Sequence, residues 1–91
     1  MRLKGKTAIV TGAGGGFGEG IARRYAEEGA KVVVMDLNGD AARRVAAEIG
    51  ANAVASIGDV TRATDIEAAI RAGEAAGGKV DIVVNNAGWT H

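Results

Sequence analysis

Four short apolar runs, at residues 7–10, 31–36, 53–57 and 80–84, are separated by stretches with apolar residues at helical spacing, and this alternation leaves few architectures open. The runs Thr7-Ala8-Ile9-Val10 and Lys31-Val32-Val33-Val34-Met35-Asp36 are rich in branched side chains and have glycine close to their ends; Ala53-Val54-Ala55-Ser56-Ile57 and Val80-Asp81-Ile82-Val83-Val84 repeat the pattern. They read as buried strands. The intervening stretches, 17–29, 39–49 and 62–76, are rich in Ala, Glu and Arg, which form helices readily. The order β-α-β-α-β-α-β, with strands apolar throughout, predicts an α/β fold: a parallel sheet covered by helices with right-handed crossovers.

Local signals mark the helix ends. Asn38 precedes the second helix and Thr61 the third, while Gly29, Gly50 and Gly77-Gly78 follow the last turns. Asp40 and Arg44, and likewise Glu67 and Arg71, stand four residues apart with the acid first, the order that suits an ion pair along a solvated helix face.

Composition narrows the function. A chain of 91 residues has room for one domain with one modest core. Eleven basic side chains balance eleven acidic ones, so there is no electrostatic footprint for nucleic acid. There is no Cys, and the single His, His91, builds no imidazole cluster, so no metal site is expected. The opening Met1-Arg2-Leu3-Lys4-Gly5-Lys6 leads into only a four-residue apolar stretch, too short for a signal peptide or a membrane span. The expectation is a soluble, cytoplasmic protein without membrane partners.

Between the first strand and the first helix lies 11-TGAGGGFGEG-20, with six glycines in ten residues. Each ordered glycine gives up roughly 0.5–1 kcal/mol relative to alanine, so something must approach the backbone closely there. At a strand-to-helix turn, free N–H groups and the helix dipole attract an anion, and a phosphate accounts for the missing side chains. The spacing separates three kinds of loop. A nucleotide-triphosphate loop needs Gly-Lys-Ser/Thr, but Gly18 is followed by Glu19-Gly20. The pattern Gly-x-Gly-x-x-Gly, started at Gly12, Gly14 or Gly16, ends on Phe17, Glu19 or Ile21 and fails each time.

The spacing present is Thr11-Gly12-x-x-x-Gly16-x-Gly18, which resembles the cofactor loop of the short-chain dehydrogenase/reductase family. Asp36 at the end of the second strand, Asp59-Val60 after the third, Asn85-Asn86-Ala87-Gly88 after the fourth and the entry Leu3-Lys4-Gly5-Lys6 match the same family, so the resemblance runs from about Leu3 to about Trp89. It implies a Rossmann-like sheet of strand order 3-2-1-4 that binds NAD, with cofactor contacts from Gly12, Gly16, Phe17, Gly18, Asp36, Leu37, Asp59, Val60, Asn86, Ala87 and Gly88. Asp36 is placed to accept from the adenosine ribose hydroxyls. An added ribose phosphate would meet its charge with no Arg or Lys at 13–17 or at Leu37-Asn38 to offset it, so NAD is expected over NADP.

Members of the family transfer hydride with a Ser, a Tyr and a Lys that follow the Asn-Asn-Ala-Gly word, and this chain runs three residues past Gly88. Tyr25 has Gly29 four residues on, where Tyr-x-x-x-Lys needs Lys; Ser56 falls within a strand, and Lys4, Lys6, Lys31 and Lys79 sit at strand entries. No catalytic residue is assigned. The expectation is the cofactor-binding half of an NAD-dependent oxidoreductase acting on alcohols and ketones, truncated before its catalytic half, inactive alone and weak for NAD. A stand-alone nucleotide-binding module, or a scaffold that has lost its ligand, fits the same residues. The fourth strand should expose an edge and so promote homo-oligomers.

Overall fold

A computed structural model describes residues 2–86. Strands β1 (Thr7–Thr11), β2 (Lys31–Asp36), β3 (Ala53–Ile57) and β4 (Ile82–Val84) alternate with helices α1 (Gly16–Glu27), α2 (Gly39–Ile49) and α3 (Ala63–Gly77). The strands form one parallel sheet of order β3-β2-β1-β4, as the resemblance implied.

Burial follows that order. Every residue of β1 and the middle four of β2 are buried, because these strands have neighbours on both sides and helices on both faces. Strand alternation then sorts the side chains into two layers. Val10, Val32 and Val34 pack with Ala22 of α1 and with Ala42 and Val45 of α2. Ile9, Val33 and Met35 point the other way and pack with Ala69 of α3. Two helices therefore cover one face and one covers the other. Tyr25 is part-buried against the first layer, as a residue flanking the packed face of α1 should be.

Some boundaries differ from the sequence reading. The ladder of β4 begins at Ile82, not Val80, because Asp81 faces Thr7 with its side chain: Oδ2 accepts from the Thr7 N–H at 2.9 Å while the Asp81 N–H donates to the Thr7 carbonyl at 2.9 Å. Lys79 Nζ braces this junction through Asp81 Oδ2 (2.9 Å) and the Gly5 carbonyl (2.8 Å). Asn38 caps α2 as expected, its Oδ1 accepting from the Ala41 N–H at 3.1 Å. Thr61 does not cap α3. The cap position is Arg62, without a side-chain bond, because the Thr61 N–H and hydroxyl are both taken by Asp59 Oδ1, at 2.8 and 2.7 Å.

The two expected ion pairs do not form. Asp40 pairs with Arg43 at 3.0 Å, while Arg44 turns to Glu48 (3.3 Å) on its own helix and Glu19 (3.4 Å) on α1. Among the described residues Glu67 and Arg71 make no ion pair; both are exposed, where water competes well for each charge.

Candidate functional site

The loops after β1, β2, β3 and β4 all leave the carboxyl end of the sheet, where open α/β sheets place their ligands. Three of the large apolar side chains that remain exposed, Phe17, Leu37 and Ile57, stand in or beside these loops. Phe17 is 88% and Leu37 71% exposed, which a core role does not explain.

Two different demands select glycine in the first loop. Gly12 and Gly16 have φ of +63° and +57°, the left-handed region that costs other residues roughly 1–2 kcal/mol. Gly18 is fixed by space: a Cβ there would stand 2.1 Å from the Gly12 carbonyl oxygen and 2.8 Å from Asn86 Nδ2. The start of α1 is thereby pressed onto the end of β1. Asn86 closes the same corner, its Nδ2 donating to the Gly12 carbonyl at 3.4 Å. Thr11 Oγ1, buried below, bonds the Val84 carbonyl at 3.3 Å and Asn85 Oδ1 at 3.2 Å, joining β1 to the end of β4.

The outward side of the loop is open. Among the described residues nothing lies within 4 Å of where a Cβ would stand on Gly15 or Gly16. Gly15 is the cap residue of α1 and supplies no side-chain bond, so the first-turn N–H groups, which have no intrahelical acceptor, are not capped by a side chain. An anion can reach bare backbone here.

Asp36 holds the loop's flank. Its Oδ2 accepts from the Gly14 N–H at 2.8 Å and its Oδ1 from the Asn38 N–H at 2.9 Å, so it is both a turn acid and a contact of the glycine loop. Its carbonyl accepts from the Gly58 N–H at 3.0 Å, which ties the turn after β3 to the same place. In that turn the Thr61 hydroxyl and N–H, with the Arg62 charge nearby, hold the Asp59 carboxyl below its ordinary range. Val60 leans on the layer under α3.

Gly12, Gly18 and Asn86 thus meet at one corner, and Asp36 meets the loop at Gly14; Asp59-Val60 sits on the adjoining turn, while Ala87 and Gly88 lie outside the described residues. Two participants are absent from the motif. Gly14 falls between the spaced glycines, yet a Cβ on it would come within 2.8 Å of both Ala41 Cβ and Asp36 Oδ2. Arg44 Nη2 donates to the Gly14 carbonyl at 3.2 Å. Arg44 lies mid-way along α2, and no local pattern marks it, because its target is thirty residues away in the chain.

Comparison with known proteins gives a consistent answer. The model of the short chain dehydrogenase family matches residues 6–91. The chain is 48% identical over 91 residues to the 7alpha-hydroxysteroid dehydrogenase of Escherichia coli, covering 97% of this chain and 36% of that protein, and 46% identical over 87 residues to the sorbitol dehydrogenase of Cereibacter sphaeroides, covering 96% and 34%. Among solved structures, the 3-ketoacyl-(acyl-carrier-protein) reductase of Brucella melitensis complexed with NADH superposes with a TM-score of 0.84 at 51% identity, over 89% of this chain and 34% of that one. A hydroxysteroid dehydrogenase of Escherichia coli gives 0.87 at 48%, over 96% and 37%. The chain spans about a third of the length of these relatives. Glycine loop, acid-ended second strand, sheet order and family match agree, and the chain belongs to the short-chain dehydrogenase/reductase family.

Proposed function

We propose that this chain is the NAD-binding half of an oxidoreductase that moves hydride between NAD and an alcohol or ketone. The observation that carries this reading is the junction of Asp36 with Gly14. Each Asp36 oxygen already accepts one backbone N–H, and a carboxylate has about four acceptor sites, so about two stay available for a pair of ribose hydroxyls. The open backbone at Gly15 and Gly16 fits a pyrophosphate beside the same carboxylate. A solved relative of 51% identity is complexed with NADH.

The roles divide by position. Gly12, Gly16 and Gly18, with the first turn of α1, would seat the pyrophosphate; Asp36 would accept from the ribose; Leu37, Asp59 and Val60 would bound the adenine; Phe17 would shield the loop from water. Asn86, with Ala87 and Gly88, would border the cofactor on the side of β4. When bound, NAD supplies the hydride acceptor. Within residues 2–86, Tyr25 is on α1, partly buried against the core and followed four residues on by Gly29 where the family pattern needs Lys, and Ser56 is in β3. We therefore read the 91 residues as binding the cofactor without turnover. The same reading puts the protein in the cytoplasm; with no cysteine in the sequence, nothing calls for an oxidising compartment.

Calorimetric titration with NAD, NADP and ADP-ribose tests this reading. NAD and ADP-ribose are expected to bind alike, and NADP at least about tenfold more weakly, because a 2′-phosphate meets the Asp36 charge. Equal affinity for NADP would overturn the assignment of Asp36, and binding of none by the folded chain would overturn the reading as a whole.

A further inference from the structure

Arg44 makes three contacts that belong to different parts of the fold. From α2 its Nη2 donates to the Gly14 carbonyl at 3.2 Å and lies 3.4 Å from Glu19 Oε1 on α1, while its Nη1 reaches Glu48 Oε1 at 3.3 Å. Glu19 and Glu48 are also both held by Arg23. The four side chains close a ring of alternating charge across the α1–α2 junction. Each arginine has one partner on its own helix and one on the other, so as helix braces Arg23 and Arg44 are equivalent. Only Arg44 also reaches the glycine loop.

That contact completes a two-sided hold on one peptide unit of the loop and the next. The Gly14 N–H is fixed by Asp36 and its carbonyl by Arg44, and Ala41 and Asp36 crowd the Cα where a Cβ would stand. The loop is therefore anchored to the end of β2 and to α2, as well as to its own flanking elements. Fixing the backbone on both sides removes freedom that a ligand would otherwise have to remove, and it aims the Asp36 carboxylate, whose Oδ2 shares Gly14 as partner.

We infer that Arg44 is a positioning residue for the dinucleotide, acting through the Gly14 carbonyl to hold the glycine loop and Asp36 in their binding arrangement. Arg44 touches neither ribose nor pyrophosphate in this account. The inference rests on the reading of the loop as an NAD seat.

The comparison of Arg44→Met with Arg23→Met isolates the loop contact, since each removes one pair within a helix and one between helices. Two readouts are taken on the 91-residue chain: hydrogen exchange of the Gly14 amide without ligand, and titration with ADP-ribose. Arg44→Met is expected to speed Gly14 exchange and to weaken ADP-ribose about threefold to tenfold, the scale of one freed backbone residue, whereas Arg23→Met changes either by less than about twofold. Equal effects of the two variants would reduce Arg44 to a helix brace, and unchanged Gly14 exchange in Arg44→Met would overturn the tether. If the parent chain binds no ADP-ribose, the reading of the seat fails, and the exchange comparison alone still upholds or overturns the tether.

Discussion

Gly18 sits where the start of α1 meets the end of β1, and its missing side chain keeps the two together. A Cβ 2.1 Å from the Gly12 carbonyl cannot be absorbed by a rotamer change, because the obstacle is backbone. Gly18→Ala is expected to destabilise the chain by about 2 kcal/mol or more, read from denaturant unfolding, and to weaken dinucleotide binding in any fraction that folds. Thr7 offers the opposite case. It is buried and its Oγ1 has no hydrogen-bond partner among the described residues, so Thr7→Val should raise stability by about 1 kcal/mol in the same measurement; a loss would show that the hydroxyl has a polar partner after all. The glycines at 12, 16 and 18 were legible because their spacing is written along the chain. The tight fit of Gly14 and its bond to Arg44 were not, since both depend on α2 being laid against the loop.

Elements were legible where the deciding interactions are local. Asn38 caps α2 with a bond to a residue three positions on, and the apolar runs fall within the observed strands to within two residues at each end. Thr61 failed as a cap because Asp59, two residues before it, competes for its hydroxyl, and the Asp40–Arg44 pair failed because Arg44 finds acceptors on α1 and in the glycine loop. These same junctions set the response to acid. Bonds from Arg23 and Arg44 hold Glu19 below its ordinary value of 4.5, and the Thr61 and Lys79 bonds hold Asp59 and Asp81 below 3.8. The unfolded chain therefore takes up protons first as the pH falls. Stability should be flat near neutrality, then decline as the pH passes down through about 4.5 and on through the lower folded-state values. Thermal melts across that range check this, and Asp81→Asn should flatten the lower part of the decline. A melting temperature that rises on acidification would contradict the assignments.

At the scale of the molecule, the strand order followed from the family resemblance, and the alternation of Val32, Val33, Val34 and Met35 shows why helices are needed on both faces. Among the described residues β4 has a strand neighbour on one side only; Val83 is 61% exposed, and Val84 borders a groove of about 400 Å³ with Phe17, Ile21 and Tyr25. We propose that two copies associate through this edge, which covers unpaired backbone and apolar surface together. Light scattering of the 91-residue chain should give a mass above that of the monomer, and a strictly monomeric solution at high concentration would count against it. Among the described residues no helix is long and apolar enough to cross a membrane. In the proposed function, the loops at the carboxyl end of the sheet form one dinucleotide seat. The most direct measurement follows backbone amide resonances of the isotope-labelled chain as ADP-ribose is added. Shifts are expected only at residues 12–18, 36–38 and 58–60 and at the end of β4, with α3 and the opposite ends of the strands unmoved. A folded chain whose glycine-loop and Asp36 resonances stay in place at millimolar ligand, or one that shifts elsewhere, would contradict it.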